Sequence, residues 1–78
     1  MMFKPDPKKQ VALKFTELFG RDIKATVTGG RKADGSYLTE VTVDGTVVAT
    51  AQHRDWRKAY ALLKVEVENL FIEGTSLI

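Results

Sequence analysis

The chain has 78 residues, a length that holds one domain with a single small core. It has no cysteine, which excludes a disulfide framework and a thiolate metal site and favours a reducing, cytoplasmic compartment. Twelve basic and ten acidic residues give a net charge of +2, which does not by itself indicate a nucleic-acid partner.

The sequence also argues against a membrane and against secretion. No apolar stretch approaches the ~20 residues of a membrane span, and the charged, proline-containing start MMFKPDPKKQ is unlike a signal peptide. Neither repeats nor linkers divide the chain. We therefore expect one domain over residues 1–78, with an ordered core from about residue 5 to 71 and a C-terminal tail over 72–78.

The first predicted element is a helix that begins at Asp6-Pro7, because aspartate caps free amides and proline loses no hydrogen bond at the first position. Gly20 ends this helix. Its apolar residues recur at helical spacing on one side: Val11, Ala12, Phe15, Leu18 and Phe19. Leu13 falls on the opposite side of the helix, among polar residues.

A first strand is predicted over residues 23–28, where Ile23, Ala25 and Val27 alternate with polar residues. The pair Gly29-Gly30 predicts the end of this strand. Residues 31–36 are then expected to form a polar loop.

A β-hairpin is predicted next. Its strands are Tyr37–Val43 and Thr46–Gln52, joined at Asp44-Gly45, two residues that tolerate the positive φ angles of a tight turn. This pairing places Val41 opposite Val48.

The last predicted element is a helix capped by Asp55. One side of it is apolar and should cover the sheet: Trp56, Ala59, Tyr60, Leu63, Val67, Leu70 and Phe71. The predicted fold class is α+β, a two-layer α-β-β-β-α sandwich with a three-stranded antiparallel sheet and both helices on one face.

This order and spacing resemble the double-stranded RNA-binding domain. In that family a hairpin runs without a gap into a helix that opens with the motif Ser-Lys-Lys-x-Ala-Lys. Residues of this chain match the family pattern at several positions: Tyr37, Val41, Val43 and Gly45 in the hairpin, Asp55, Arg57 and Ala59 in the motif, and Leu63 and Val67 in the helix core. The resemblance implies binding of A-form duplexes by shape and by phosphate and 2′-hydroxyl contacts.

The chain departs from the family where RNA would be held. Trp56 and Tyr60 replace the first and third motif lysines, which removes charge that would contact phosphate. The loop over residues 31–36 lacks the family's Gly-Pro-x-His and offers Arg31 and Lys32 instead. Glu17 stands roughly where the family has its minor-groove glutamate.

Two kinds of non-enzymatic binding function remain open. The first is binding of double-stranded RNA or another structured nucleic acid. Its candidate residues are basic: Lys8, Lys9, Lys14, Arg31, Lys32, Arg54, Arg57 and Lys58. For each of these residues taken singly, a plain solvated surface is the favoured interpretation, and Asp55 places a carboxylate beside the last three.

The second is a protein-interaction module that keeps the scaffold and has lost RNA binding, as a homodimer, an adaptor or a phage-type inhibitor of a host complex. Its candidate residues are apolar or aromatic: Leu13, Trp56, Tyr60, Leu62 and Val65. Trp56 and Tyr60 are also compatible with packing in the core. Stacking on a nucleobase is a third interpretation, and a scaffold that reads duplexes favours it least. The tail with Leu77 and Ile78 could instead cover Leu62 and Val65.

The sequence gives little support for catalysis. His53 is the one histidine, and it lies in the link His53-Arg54-Asp55 between strand and helix, without ligand partners at metal-binding spacing. The glycines lack the Gly-Lys-Ser/Thr ending of a phosphate loop. We therefore expect no enzymatic activity, no cofactor and no metal.

Overall fold

The computed structural model describes residues 6–74 and has two helices and three strands in the predicted order. Helix α1 spans Pro7–Phe19, strand β1 spans Ala25–Arg31, strand β2 spans Tyr37–Val43, strand β3 spans Thr46–His53, and helix α2 spans Trp56–Ile72. The strands form one antiparallel sheet in the order β1-β2-β3. The predicted α+β class and α-β-β-β-α order are confirmed.

Both helices begin at the predicted aspartate caps. The Asp6 carboxylate accepts a hydrogen bond from the Lys8 amide at 2.9 Å, and the Asp55 carboxylate accepts one from the Arg57 amide at 3.0 Å. Each cap satisfies an amide that the helix itself leaves without a partner. Helix α1 ends at Gly20, which has a φ of 89°, and α2 continues to Ile72, one residue beyond the predicted core.

One face of the sheet carries both helices. Helix α1 packs on β1, α2 packs on β2 and β3, and the helices pack on each other. The buried apolar core lies between these two layers and consists of Val11, Phe15, Val27, Val41, Val43, Ala49, Ala59, Tyr60, Leu63 and Val67. Thr39 is also buried, and its hydroxyl donates to the carbonyl of Ala51 at 2.9 Å, which removes the cost of burying it.

The hairpin between β2 and β3 has the predicted turn but a different register. Asp44 and Gly45 have φ angles of 51° and 78°, as the predicted turn requires. The prediction that Val41 lies opposite Val48 is wrong, because Val41 pairs with Ala49 and Thr42 with Val47. A bulge inserts Val48 into β3 at this point, and Val48 packs partly against the core.

The predicted end of the first strand is also wrong. Strand β1 begins at Ala25 rather than Ile23 and continues through Gly29 and Gly30 to Arg31, which pairs with Tyr37. The glycines therefore lie inside a strand, where they normally cost backbone entropy. At Gly29 the physical reason for a glycine is that two tyrosine rings pack directly against the backbone.

Within residues 6–74, neither helix combines the length and the apolar character needed to cross a lipid bilayer.

Candidate binding site at the amino-terminal ends of the helices

Helices α1 and α2 have their amino-terminal ends at the same edge of the molecule. At their carboxyl ends the rings of Phe19 and Phe71 are in edge-to-face contact, with centroids 5.7 Å apart. At the other ends, Pro7 of α1 and Trp56 of α2 line a common cleft. The two helices therefore run side by side in the same direction, and the free amides of both first turns lie near one another.

This cleft, which we call the amino-terminal cleft, has a volume of about 610 Å³. Seven residues from both helices and from β2 line it: Asp6, Pro7, Lys8, Tyr37, Trp56, Arg57 and Tyr60. A volume of this size falls within the range of about 300–1,000 Å³ that small-molecule sites occupy. The lining combines aromatic rings with two basic side chains and one carboxylate.

Three aromatic side chains form one wall of the cleft. The Trp56 and Tyr60 rings meet edge to face at 6.2 Å and 86°, and the Tyr37 and Tyr60 rings lie 5.8 Å apart with their hydroxyls at 3.4 Å. Burial, together with this contact to Tyr37, raises the pKa of Tyr60 above its ordinary value. These contacts join the three aromatic side chains into one packed wall.

Trp56 and Tyr60, which the sequence analysis treats alike, differ in burial. Tyr60 is only 4% exposed and belongs to the core, whereas Trp56 is 38% exposed. A surface role in a protein interface therefore does not fit Tyr60. Trp56 keeps part of its aromatic surface exposed.

Gly29 lies directly against the tyrosine pair. A Cβ atom at this position would overlap the Tyr60 hydroxyl and would lie 2.7 Å from Cε1 of Tyr37, closer than real Cβ contacts. No such limit applies at Gly30, where a Cβ would meet open space. Glycine at position 29 therefore allows both rings to lie close to the sheet and fixes the aromatic wall.

The two basic residues of the cleft come from different helices. Lys8 lies in the first turn of α1 and Arg57 in the first turn of α2. The Arg57 guanidinium lies 5.5 Å from the centroid of the Trp56 ring, a distance at which cation and ring attract each other. This contact holds a positive charge at the mouth of the cleft.

Arg31 joins the loop after β1 to the start of α2. Its guanidinium donates to the carbonyl of Gly35 at 2.8 Å and to the carbonyl of Arg54 at 3.1 Å, and it lies 5.5 Å from the Tyr37 ring centroid. The predicted basic segments around Arg31 and Arg54 are thus in direct contact beside the cleft. Arg31 has a structural role there in addition to its charge.

The loop that Arg31 holds is itself ordered by hydrogen bonds. The Asp34 carboxylate accepts from the hydroxyl and the amide of Ser36, and these bonds lower the pKa of Asp34 below its ordinary value. The Lys32 amide donates to the carbonyl of Ser36 at 2.7 Å. Lys32 is therefore an exposed basic residue on a fixed loop.

The other predicted basic residues are less closely grouped. Lys9 lines a smaller hollow of about 310 Å³ with Lys8 and Val27, next to the cleft. Lys58 is exposed in the first turn of α2. Lys14 lies further along α1 and pairs with Glu17 at 3.6 Å, so the structure does not bring it to the cleft. Of the predicted basic residues, Lys8 and Arg57 line the cleft itself. Lys9 lies in the adjacent hollow, and Arg31 lies beside the cleft against the Tyr37 ring.

The predicted apolar interface residues lie elsewhere. Leu13 is exposed on α1, and Leu62 and Val65 are exposed on α2, away from the core side of each helix. The possibility that Leu77 and Ile78 cover Leu62 and Val65 lies outside the described residues.

His53 has a structural contact in the link between β3 and α2. Its Nδ1 accepts a hydrogen bond from the Asp55 amide at 2.9 Å, which helps to set the start of α2. Within residues 6–74, no three His, Cys, Asp or Glu side chains are grouped in a way that could hold a metal ion.

Sequence reasoning missed three residues of the cleft. The sequence marks Asp6 and Pro7 only as the start of a helix and Tyr37 only as a sheet residue, because their shared position depends on where the ends of separate elements meet. A weak signal for Tyr37 is present, since an aromatic residue near a strand glycine often packs on it.

Comparison of the chain with family models, with curated proteins and with solved structures found no match. The geometry of the cleft and of the basic residues around it is what bears on function.

Proposed function

We propose that the protein binds structured nucleic acid, and duplex RNA in particular, through the edge of the molecule at which both helices begin. The observation that carries this proposal is the meeting of basic side chains from three separate segments. Lys8 of α1 and Arg57 of α2 line one cleft, and Arg31 at the end of β1 contacts the carbonyl of Arg54 beside it.

The backbone adds to this positive edge. Each helix has a partial positive charge at its amino terminus, and the two termini lie together. The first turns consist of Pro7, Lys8, Lys9 and Gln10 in α1 and of Trp56, Arg57, Lys58 and Ala59 in α2. The cap carboxylates of Asp6 and Asp55 keep their negative charge, but the four basic side chains in the two first turns outnumber them.

The resemblance to the double-stranded RNA-binding domain supports duplex RNA over other polyanions. That family uses its first helix, the loop between its first two strands and the start of its last helix to contact two minor grooves and the major groove between them. The same three segments of this chain carry the basic residues. Arg57 stands on the second lysine of the family motif.

Charge reversal at the start of α2 should weaken duplex binding strongly. We expect Arg57→Glu/Lys58→Glu to lower the affinity for an RNA duplex of about 16 base pairs by at least tenfold at low salt. The slope of log affinity against log salt should become shallower by about two, one for each phosphate that the variant no longer neutralises. Fluorescence anisotropy across a salt series measures both quantities.

The matched control is Arg21→Glu/Lys24→Glu, which changes the net charge equally. These exposed residues lie between α1 and β1, at the other end of the sheet from Arg31. The control should keep most of the affinity and the full salt slope. Equal losses in both variants would show attraction to net charge alone, and no binding by the parent at low salt would refute the proposal.

A second candidate function is self-association through the outward side of α2. The observation favouring it is that Leu62, Val65 and Ile72 are all exposed at helical spacing on a helix whose other side is already packed on the sheet. A second copy of the chain would present the same apolar side, so an isologous dimer is the simplest arrangement.

This candidate predicts that Leu62→Glu converts a dimer into a monomer, because a carboxylate would be desolvated in the interface. Sedimentation equilibrium of parent and variant measures the change. Val47→Glu is the control, since Val47 is also exposed but lies on β3. A parent that is monomeric at high protein concentration would contradict self-association.

A further inference from the structure

We propose that the amino-terminal cleft takes an unpaired nucleobase together with its adjoining phosphate. This inference deepens the proposed function, on which it rests, by naming what part of a nucleic acid enters this site. It starts from Trp56, the one tryptophan of the chain, which stays substantially exposed in a cleft rather than packing in the core.

The aromatic wall offers a stacking surface of suitable chemistry. The Trp56 ring is held edge to face by Tyr60, and Tyr60 is in turn held by Tyr37 and by Gly29 below it. A surface fixed in this way loses little conformational freedom when a flat ring stacks on it. Nucleobases stack on aromatic side chains in any sequence context, because every base has a π face.

The charged groups of the cleft select an anionic ligand. Lys8 and Arg57 provide two positive charges, and the Asp6 carboxylate already accepts the Lys8 amide. The Arg57 guanidinium already lies beside the Trp56 ring, where a ligand cation would bind in an aromatic cage. The protein therefore supplies this cation itself, and the ligand does not need to. A flat aromatic group with a phosphate attached satisfies both the ring and the cations.

The base must be unpaired. Inside a duplex both faces of a base are covered by its neighbours, and only loops, bulges and ends expose a face to a side chain. The cleft lies next to the predicted duplex-binding segments, since Arg31 touches both Tyr37 of the cleft and the carbonyl of Arg54. A base that leaves the end of a bound duplex would therefore meet Trp56.

The test uses two RNA ligands that differ only in an unpaired end. One is a blunt duplex of about 16 base pairs, and the other carries a single-stranded extension of about four nucleotides. The extension should raise affinity roughly 5- to 100-fold, the range that stacking of one base gives. It should also quench the tryptophan fluorescence of the parent protein, which arises from Trp56 alone.

Two variants test whether the gain in affinity from the extension comes from the Trp56 ring. Trp56→Ala should remove the gain from the extension, measured as the ratio of the affinities of one variant for the extended and the blunt duplex, so that any change in duplex affinity from releasing Arg57 cancels. Trp56→Phe should keep most of this ratio. The quenching measured with the parent needs no variant, so the test does not depend on the fold tolerating Trp56→Ala.

The outcomes separate this inference from the proposed function. Binding of the blunt duplex with no gain and no quenching from the extension would overturn the inference alone. Binding of the isolated single strand with quenching, and no binding of the blunt duplex, would overturn duplex binding and support the cleft. Failure of every RNA to bind at low salt would overturn both and would leave a protein as the partner of Trp56.

Discussion

Leu63→Ala should strongly destabilise this fold. Leu63 is 0% exposed and lies in the middle of α2, in the core cluster between the helices and the sheet. Removing its isobutyl group reduces apolar burial and leaves a cavity, which costs about 2–5 kcal/mol. A domain of this size has a total stability of only about 4–12 kcal/mol, so this loss is a large share of the total.

The neighbouring leucine provides a control of identical chemistry. Leu62 is 44% exposed on the outward side of α2, and Leu62→Ala should change the free energy of unfolding by less than about 1 kcal/mol. Urea unfolding followed by circular dichroism gives both values, with a lower midpoint and an unchanged slope expected for Leu63→Ala. Similar costs at both positions would mean that α2 packs on a different side.

Gly29→Ala should destabilise the fold although alanine is ordinarily acceptable in a strand. The new Cβ would overlap the Tyr60 hydroxyl and approach the Tyr37 ring, and both rings are held in contact with each other. Forcing extra atoms into a packed site costs about 1–3 kcal/mol. The midpoint of chemical unfolding should fall accordingly.

The next residue along β1 and a compensating change test this explanation. Gly30→Ala places its Cβ in open space and should be neutral or stabilising by up to about 1 kcal/mol. Adding Tyr60→Phe to Gly29→Ala removes the overlapping hydroxyl and should recover part of the loss, which a double-mutant cycle measures. An equal cost for Gly29→Ala and Gly30→Ala would mean that strand propensity, not the tyrosines, is responsible.

Most of the fold could be predicted from local chemistry. Asp6 and Asp55 are caps because their carboxylates reach helix amides, and Asp44-Gly45 is a turn because both residues adopt positive φ. The alternation in β2 identified its buried side. The helical spacing in α2 identified Ala59, Tyr60, Leu63 and Val67 as buried, but it was wrong for Trp56 and Phe71, which lie at the two ends of the helix and are exposed. Each of these signals is carried by neighbours in the sequence.

The errors arose where contacts between distant residues decide the structure. In the sequence, Gly29 indicates the end of a strand. In the structure, glycine is required at this position because the Tyr37 and Tyr60 rings occupy the space that a side chain would fill. The bulge at Val48 adds one residue to β3 without disturbing the apolar pattern, so alternation alone could not reveal it.

The candidate site was predicted only in part for the same reason. The basic residues in the sequence predicted Lys8, Arg31 and Arg57 as separate candidates. Trp56 was a candidate because it replaces a lysine of the double-stranded RNA-binding motif. The cleft exists because α1 and α2 start at one edge of the sheet, which no local pattern records. The exposure of Trp56 and the burial of Tyr60 follow from that arrangement.

The two hydrogen bonds donated by the Arg31 side chain restrict the loop after β1. Because one guanidinium holds the carbonyls of both Gly35 and Arg54, the loop and the start of α2 are tied together before any ligand arrives. The conformational entropy of aligning these two segments is therefore given up during folding and does not count against association. A planar group with several donors is needed for this tie, so lysine at position 31 would keep the charge and lose the alignment.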